Sequence, residues 1–187
     1  MRWVAQTDSQ RPPAEAATYC LDHGAVACFL HGGVADYCIA QGDRDGIERF
    51  VQTVQDSHNP VGIAGHMPED FVWAEHNLDL DFYMVCYYNP SPRQEAPHHD
   101  QRAVERYLES DRAERVATIG ELTRPVIHYK ILAAGRNDPA QAFAFATCHM
   151  RPHDAVCVGI YTKDNHAMLE EDLSLFLQGL EVSGQYP

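Results

Sequence analysis

Five short apolar runs, separated by stretches of helical pattern, confine this chain to a small set of folds. They cover residues 25–31, 61–66, 82–89, 126–133 and 155–161. Near-continuous apolar runs of this length mark strands covered on both faces, the habit of parallel sheets. Between them the period changes. Residues 45–57 place Ile47, Phe50, Val51 and Val54 on one stripe, and residues 68–77 open on Pro68, Glu69 and Asp70, suited to a first helical turn. Residues 102–122 repeat through Val104, Leu108, Val116 and Ile119. Asp138 and Pro139 predict a cap and first position for a helix running to Met150, and residues 168–180 carry Leu169, Leu173, Phe176 and Leu177.

Strand and helix alternating five times predict a single α/β domain over residues 1–187 with right-handed crossovers. Trp3-Val4-Ala5 and the helical stretch 14–23 look like the end of a preceding unit. The favoured architecture is therefore a partial or truncated (β/α)8 TIM barrel lacking its first units. The alternative is a five-stranded open doubly wound sheet, which suits the length equally.

Charge narrows the function. Lys plus Arg number 14 against 27 Asp plus Glu, a formal charge of −13, so no nucleic-acid partner is expected. No apolar run reaches membrane-spanning length and the first residues lack a secretory pattern, so no membrane partner and a cytoplasmic location are expected. The six cysteines form no C-x-x-C pair and read as buried free thiols. No dinucleotide, P-loop or G-x-S-x-G signature follows a strand.

Strand alternation then assigns faces. In the fifth run Val156, Val158 and Ile160 suit the helix side, leaving Ala155, Cys157, Gly159, Tyr161 and Lys163 on the other. In the fourth, Ile127, Tyr129 and Ile131 are placed against helices, so His128 and Lys130 share the interior face. An unpaired ammonium there costs several kcal/mol, which argues for use. The alternatives are that Lys130 pairs with an acid such as Asp81, or that helices cover both faces. His31 and His66 end the first two runs, at the strand ends where α/β folds bind ligands. His31, His66 and His128 could hold a divalent metal, act as acids and bases, or make only local hydrogen bonds. In the third run either Tyr83, Val85, Tyr87 and Asn89 face the site or Phe82, Met84, Cys86 and Tyr88 do, so Asn89 or Tyr88 offers a polar group at the strand end, and His98-His99-Asp100 lies in a long loop.

The stretch His128-Tyr129-Lys130-Ile131-Leu132-Ala133-Ala134-Gly135-Arg136-Asn137-Asp138-Pro139-Ala140-Gln141-Ala142 resembles a late strand, turn and helix start of the aldolase-type TIM-barrel enzymes. Val158-Gly159-Ile160-Tyr161 is similar to their last strand. The resemblance implies a strand lysine at Lys130 used in carbonyl chemistry, and a turn at Gly135 and Arg136 that binds a phosphate or carboxylate. The last strand, with Tyr161 and Lys163, would complete that anion site. The chain departs from the pattern at Ala134, where a first Gly is usual, and shows no second lysine on the preceding strand.

The expected function is that of an aldolase-like lyase acting on a small anionic carbonyl compound. Lys130, His128, His31 and His66 are its expected catalytic residues, with Asn89, Tyr88, Gly135, Arg136, Tyr161 and Lys163 binding substrate. A metal-dependent hydrolase or isomerase, with a divalent ion on the three histidines, is the second reading. The third is a non-catalytic truncated barrel serving as a binding or assembly module, its open sheet edges covered by a partner such as a second copy.

Overall fold

The computed structural model describes residues 2–89 and 107–184. Its backbone is one six-stranded sheet, all parallel, in the order β1-β2-β3-β4-β5-β6. The strands are β1 (Val4–Gln6), β2 (Ala27–Leu30), β3 (Val61–Gly65), β4 (Phe82–Cys86), β5 (Val126–Tyr129) and β6 (Ala155–Cys157). The helices are α1 (Pro13–Asp22), α2 (Gly32–Gln41), α3 (Arg44–Asp56), α4 (Pro68–Asn77), α5 (Glu109–Glu121), α6 (Pro139–His149) and α7 (Met168–Ser183). The strands curl into a half-barrel.

The sheet differs from the expected one in strand number, and from the doubly wound alternative in strand order. The described residues hold six strands, because Val4–Gln6 pairs in parallel with Ala27, Cys28 and Phe29 and begins a unit of its own with α1. The order advances by one strand at every crossover and never reverses, so the doubly wound alternative lacks its switch point.

Local chemistry sets the helix ends. Asp138 accepts a hydrogen bond from the Gln141 N–H and Pro139 takes the first position of α6, as the sequence predicts. Asp43 does the same for α3 through the Gly46 N–H. Of the helix expected over 102–122, the described part starts at Glu109, Leu108 being extended at φ −88°, ψ 136°; residues 102–106 lie outside the described residues, as does His98-His99-Asp100.

The sheet separates two apolar layers. On the helix side Cys28, Leu30, Val61, Ile63, Tyr83, Val85 and Val126 join the main core. On the concave side Ala27, Phe29, Ala64, Phe82 and Met84 form a smaller one, with Ile127 and Tyr129 against it. That concave face opens into a cavity of about 810 Å³ whose lining includes Val4, Phe29, Met84, Ile127, Cys157 and Leu173.

Gly62 marks the tightest point of this layer. It faces Phe82 across β3 and β4, and a Cβ there would stand 2.5 Å from the ring. Gly62→Ala is expected to destabilise the fold by about 1–3 kcal/mol through overpacking. Urea unfolding checks this; an unchanged midpoint would mean that Phe82 swings aside freely.

Four of the six cysteines are buried and free, Cys20, Cys28, Cys38 and Cys86. Cys148 and Cys157 are free but exposed, against the uniform burial expected. Cys157 falls on the concave side of an edge strand, where it lines the cavity.

Candidate functional site

The carboxyl ends of β3, β4 and β5 bring together residues distant in sequence. His66 follows β3 directly and is 4% exposed. Asp36 of α2, 1% exposed, holds it twice: the His66 backbone N–H donates to Oδ1 at 3.0 Å, and the ring Nδ1 to Oδ2 at 2.7 Å. That fixes the tautomer and leaves Nε2 as an acceptor. Lys130 Nζ donates to it at 3.2 Å. Cys86, the last residue of β4, contacts the same imidazole and donates its thiol to Tyr88 O at 2.7 Å.

Lys130 reaches this place through an unusual backbone. Alternation alone would send it to the helix side with His128. Instead it takes φ 58°, in the left-handed region, and turns its side chain toward the rim. The left-handed bend recurs at Ala133 (φ 47°), Ala134 (φ 54°) and Gly135 (φ 81°). Non-glycine residues in that region cost of order 1 kcal/mol or more each, and such strain concentrates at functional sites.

The electrostatics follow from the contacts. Burial works to lower the His66 pKa, but Asp36 and then Cys86 outweigh it and raise it above the ordinary imidazole value. Burial also works to raise the Cys86 thiol, yet His66 and Lys130 beside it hold it below its usual value. Cys28 and Cys38 have no such neighbours, and burial pushes them up to about 12 and about 11. Asp70, in the first turn of α4, is pushed up to about 8 by burial first and the Asp36 charge second.

Of the expected catalytic residues, then, His66 and Lys130 meet, whereas His128 and His31 stand elsewhere. The face assigned to β5 is corrected by its register: Ile127 pairs with Ala155 and His128 with Val156, so Ile127 and Tyr129 line the concave side. His128 is fully buried toward the helices, with Nδ1 accepting from the Tyr87 hydroxyl at 2.9 Å and Nε2 on Asp154 Oδ2 at 3.3 Å. His31 is the cap of α2: its Nδ1 accepts from the Gly33 N–H at 3.1 Å. The three histidines therefore do not converge on one ion. Among the described residues no group of three or more His, Cys, Asp or Glu is arranged to hold a metal. The Gly32 position is needed for space, since a Cβ there would lie 3.0 Å from His66 Cε1. Lys130 does not pair with Asp81, whose carboxylate binds the Val61 N–H at the opposite end of the strands.

The expected substrate residues divide likewise. The Tyr88 hydroxyl accepts from Asn137 Nδ2 at 2.7 Å, tying the end of β4 to the turn after Lys130. Asn89 donates to Met67 Sδ at 3.0 Å and leaves its buried Oδ1 without a partner. Gly135 closes the short 3-10 turn Ala133–Gly135, and the Arg136 guanidinium lies 4.4 Å over the Tyr107 ring. Tyr161 lines a different cavity, of about 500 Å³, with Asp138, Asp164 and Glu171, a negative setting at the start of α6. Lys163 is exposed.

Asp36 and Asp70 escaped the sequence reading as site residues, and Cys86 stood on one of the two faces left open for the third run. Cys86 had a signal, because it shares a strand face with Met84 at a carboxyl end. Asp36 had none, since it comes from a helix that no apolar stripe announces.

In fold and site, the chain is an α/β half-barrel with a buried Asp36–His66–Cys86 cluster, joined by the half-buried Lys130, at the carboxyl rim of its sheet. It matches no family model, and no curated protein matches it significantly.

Proposed function

We propose that this protein is an aldolase-like lyase that forms an imine between Lys130 and a small carbonyl compound bearing an anionic group. The observation that carries the reading is the 3.2 Å contact of Lys130 Nζ with His66 Nε2, backed by the 2.7 Å contact of Nδ1 with Asp36. His66 takes a proton from the Lys130 ammonium, freeing the amine to attack the carbonyl carbon. The C–N bond forms as the carbonyl oxygen is protonated, with His66 returning the proton. The attacking nitrogen then gives up a second proton, passed through His66 to the hydroxyl, and the C–O bond breaks to release water and leave the protonated imine, while Asp36 stabilises the imidazolium. Arg136, six residues along the same turn segment, is the cation proposed for the anionic group.

The test is unusually clean, because Lys130 and Lys163 are the only lysines in the chain. Borohydride reduction with pyruvate, or with a sugar phosphate, is expected to leave a stable mass adduct on the peptide of Lys130. The exposed Lys163 serves as the internal control, and Lys130→Arg is expected to show no adduct. No adduct at Lys130 across a panel of small carbonyl compounds removes the reading.

A second reading, that of an assembly module covered by another copy, is favoured by the open sheet. Among the described residues β1 and β6 each pair with one neighbour only, and the apolar Val4, Leu169 and Leu173 are 47%, 59% and 53% exposed. Light scattering tests it; a monomer at micromolar concentration removes it. No described helix is long and apolar enough to cross a membrane.

A further inference from the structure

Two carboxyl groups stand side by side behind His66, and the imine reading uses only one. Asp36 accepts both N–H groups of His66. Asp70 is 7% exposed, contacts Asp36, and leaves its Oδ2 buried without a partner. A salt bridge would explain a buried carboxyl of this kind, but Asp70 takes part in none among the described residues. Nor does it cap α4, whose start has no side-chain cap.

We propose that Asp70 is a positioning residue of the rim cluster: its carboxyl hydrogen-bonds the Asp36 carboxylate and, by keeping or releasing one proton, sets the charge that Asp36 presents to His66. Two adjacent buried carboxylates cannot both ionise cheaply, so one proton is held between them near neutrality. Burial and the Asp36 charge push Asp70 up to about 8, with Glu69 adding to the effect and His66 opposing it. The start of α4 favours negative charge, which keeps the ionised form within reach.

The groups facing the pair come from every surrounding element. His66 after β3 and Glu69 on the same helix as Asp70 act on the pair directly, and Cys86 at the end of β4 and Lys130 after β5 meet it through His66. With Asp70 protonated, the pair carries one negative charge. When Asp70 loses its proton to water, the pair carries two. The second charge strengthens the hold of the pair on a protonated His66 ring, the partner of Lys130 Nζ. The value of this for catalysis rests on the imine reading, but the electrostatic coupling does not.

The experiment titrates the full chain, with isotope-labelled histidine, over roughly pH 5 to 10 by NMR and without substrate. The His66 ring signal is expected to show, beyond its own titration, a second inflection near the Asp70 value of about 8. Asp70→Asn, which keeps the shape and one donor, is expected to abolish that inflection and leave the rest. Asp79→Asn, at the far end of the strands, is expected to leave it in place. A wild-type His66 signal with no second inflection overturns the proposal, and so does an inflection that survives in Asp70→Asn. The wild-type titration decides even if the variant does not fold. Because no substrate is present, failure here is separate from failure of the borohydride trap.

Discussion

Replacing Asp154 with alanine is expected to lower the unfolding free energy by about 3–5 kcal/mol, the usual loss when one partner of a buried ionic network is removed. The side chain is 0% exposed. Oδ1 accepts from the Val126 N–H at 2.7 Å, and Oδ2 from the Arg151 N–H at 2.8 Å, Arg151 Nε at 3.0 Å and His128 Nε2 at 3.3 Å. Arg151 in turn donates to the carbonyls of Leu122 and Arg124. One carboxylate therefore ties the start of β6 to the start of β5 and fills the second nitrogen of His128. Its removal orphans several buried donors at once. Burial works to raise the Asp154 pKa, but the hydrogen bonds from His128, Arg151 and the backbone outweigh it and hold it well below its ordinary value of 3.8. A depressed carboxyl contributes stability above its unfolded pKa and loses it as pH falls through the folded one. Wild type and Asp154→Ala should therefore differ fully at neutral pH and converge progressively below pH 3.8. Urea unfolding at neutral and acid pH measures both; a neutral-pH loss under about 1 kcal/mol would mean that water replaces the carboxylate.

Asp36→Asn is expected to slow imine formation by about 100-fold, the lower range for loss of general acid–base assistance. The amide keeps the size of the carboxylate but removes the charge that holds His66 above its ordinary pKa. Linkage gives a second readout. A raised imidazole contributes stability that is complete below its unfolded pKa, near 6.5, and is lost as pH rises through the folded value. The stability cost of Asp36→Asn should thus be largest below pH 6.5 and fade above the folded value. Trapping kinetics and urea unfolding across this range check both arms. A cost that is flat with pH, with trapping unchanged, would show that Asp36 only packs.

Much of the fold was legible because periodicity reports burial directly. All five apolar runs became strands, and the Asp138-Pro139 start of α6 is local chemistry that needs no tertiary information. β1 was half legible: three residues leave too short a pattern to distinguish from a fragment. α2 was missed because its start, Gly32-Gly33, reads as a turn, whereas the glycines are there to let the helix approach His66.

The site was legible only at two of its points. His66 and Lys130 were expected to meet and do. They meet for a reason alternation cannot supply, since the left-handed φ of Lys130 separates it from His128. The metal reading needed three histidines on one face, and a one-residue phase on β5 turned His128 into a core residue. A period of two specifies which residues share a face but not which face meets the helices when both are apolar.

The chain's own pattern determined parallel βα units, an acidic surface, capped helices and a reactive pair of residue types at strand ends, since each depends on neighbours a few positions away. Tertiary structure alone decided the phase of β5, the six-strand curl, and the gathering of Asp36, Asp70 and Cys86 around His66. Those depend on register between strands and on contacts between residues as far apart as His66 and Lys130, whose meeting depends on one backbone angle.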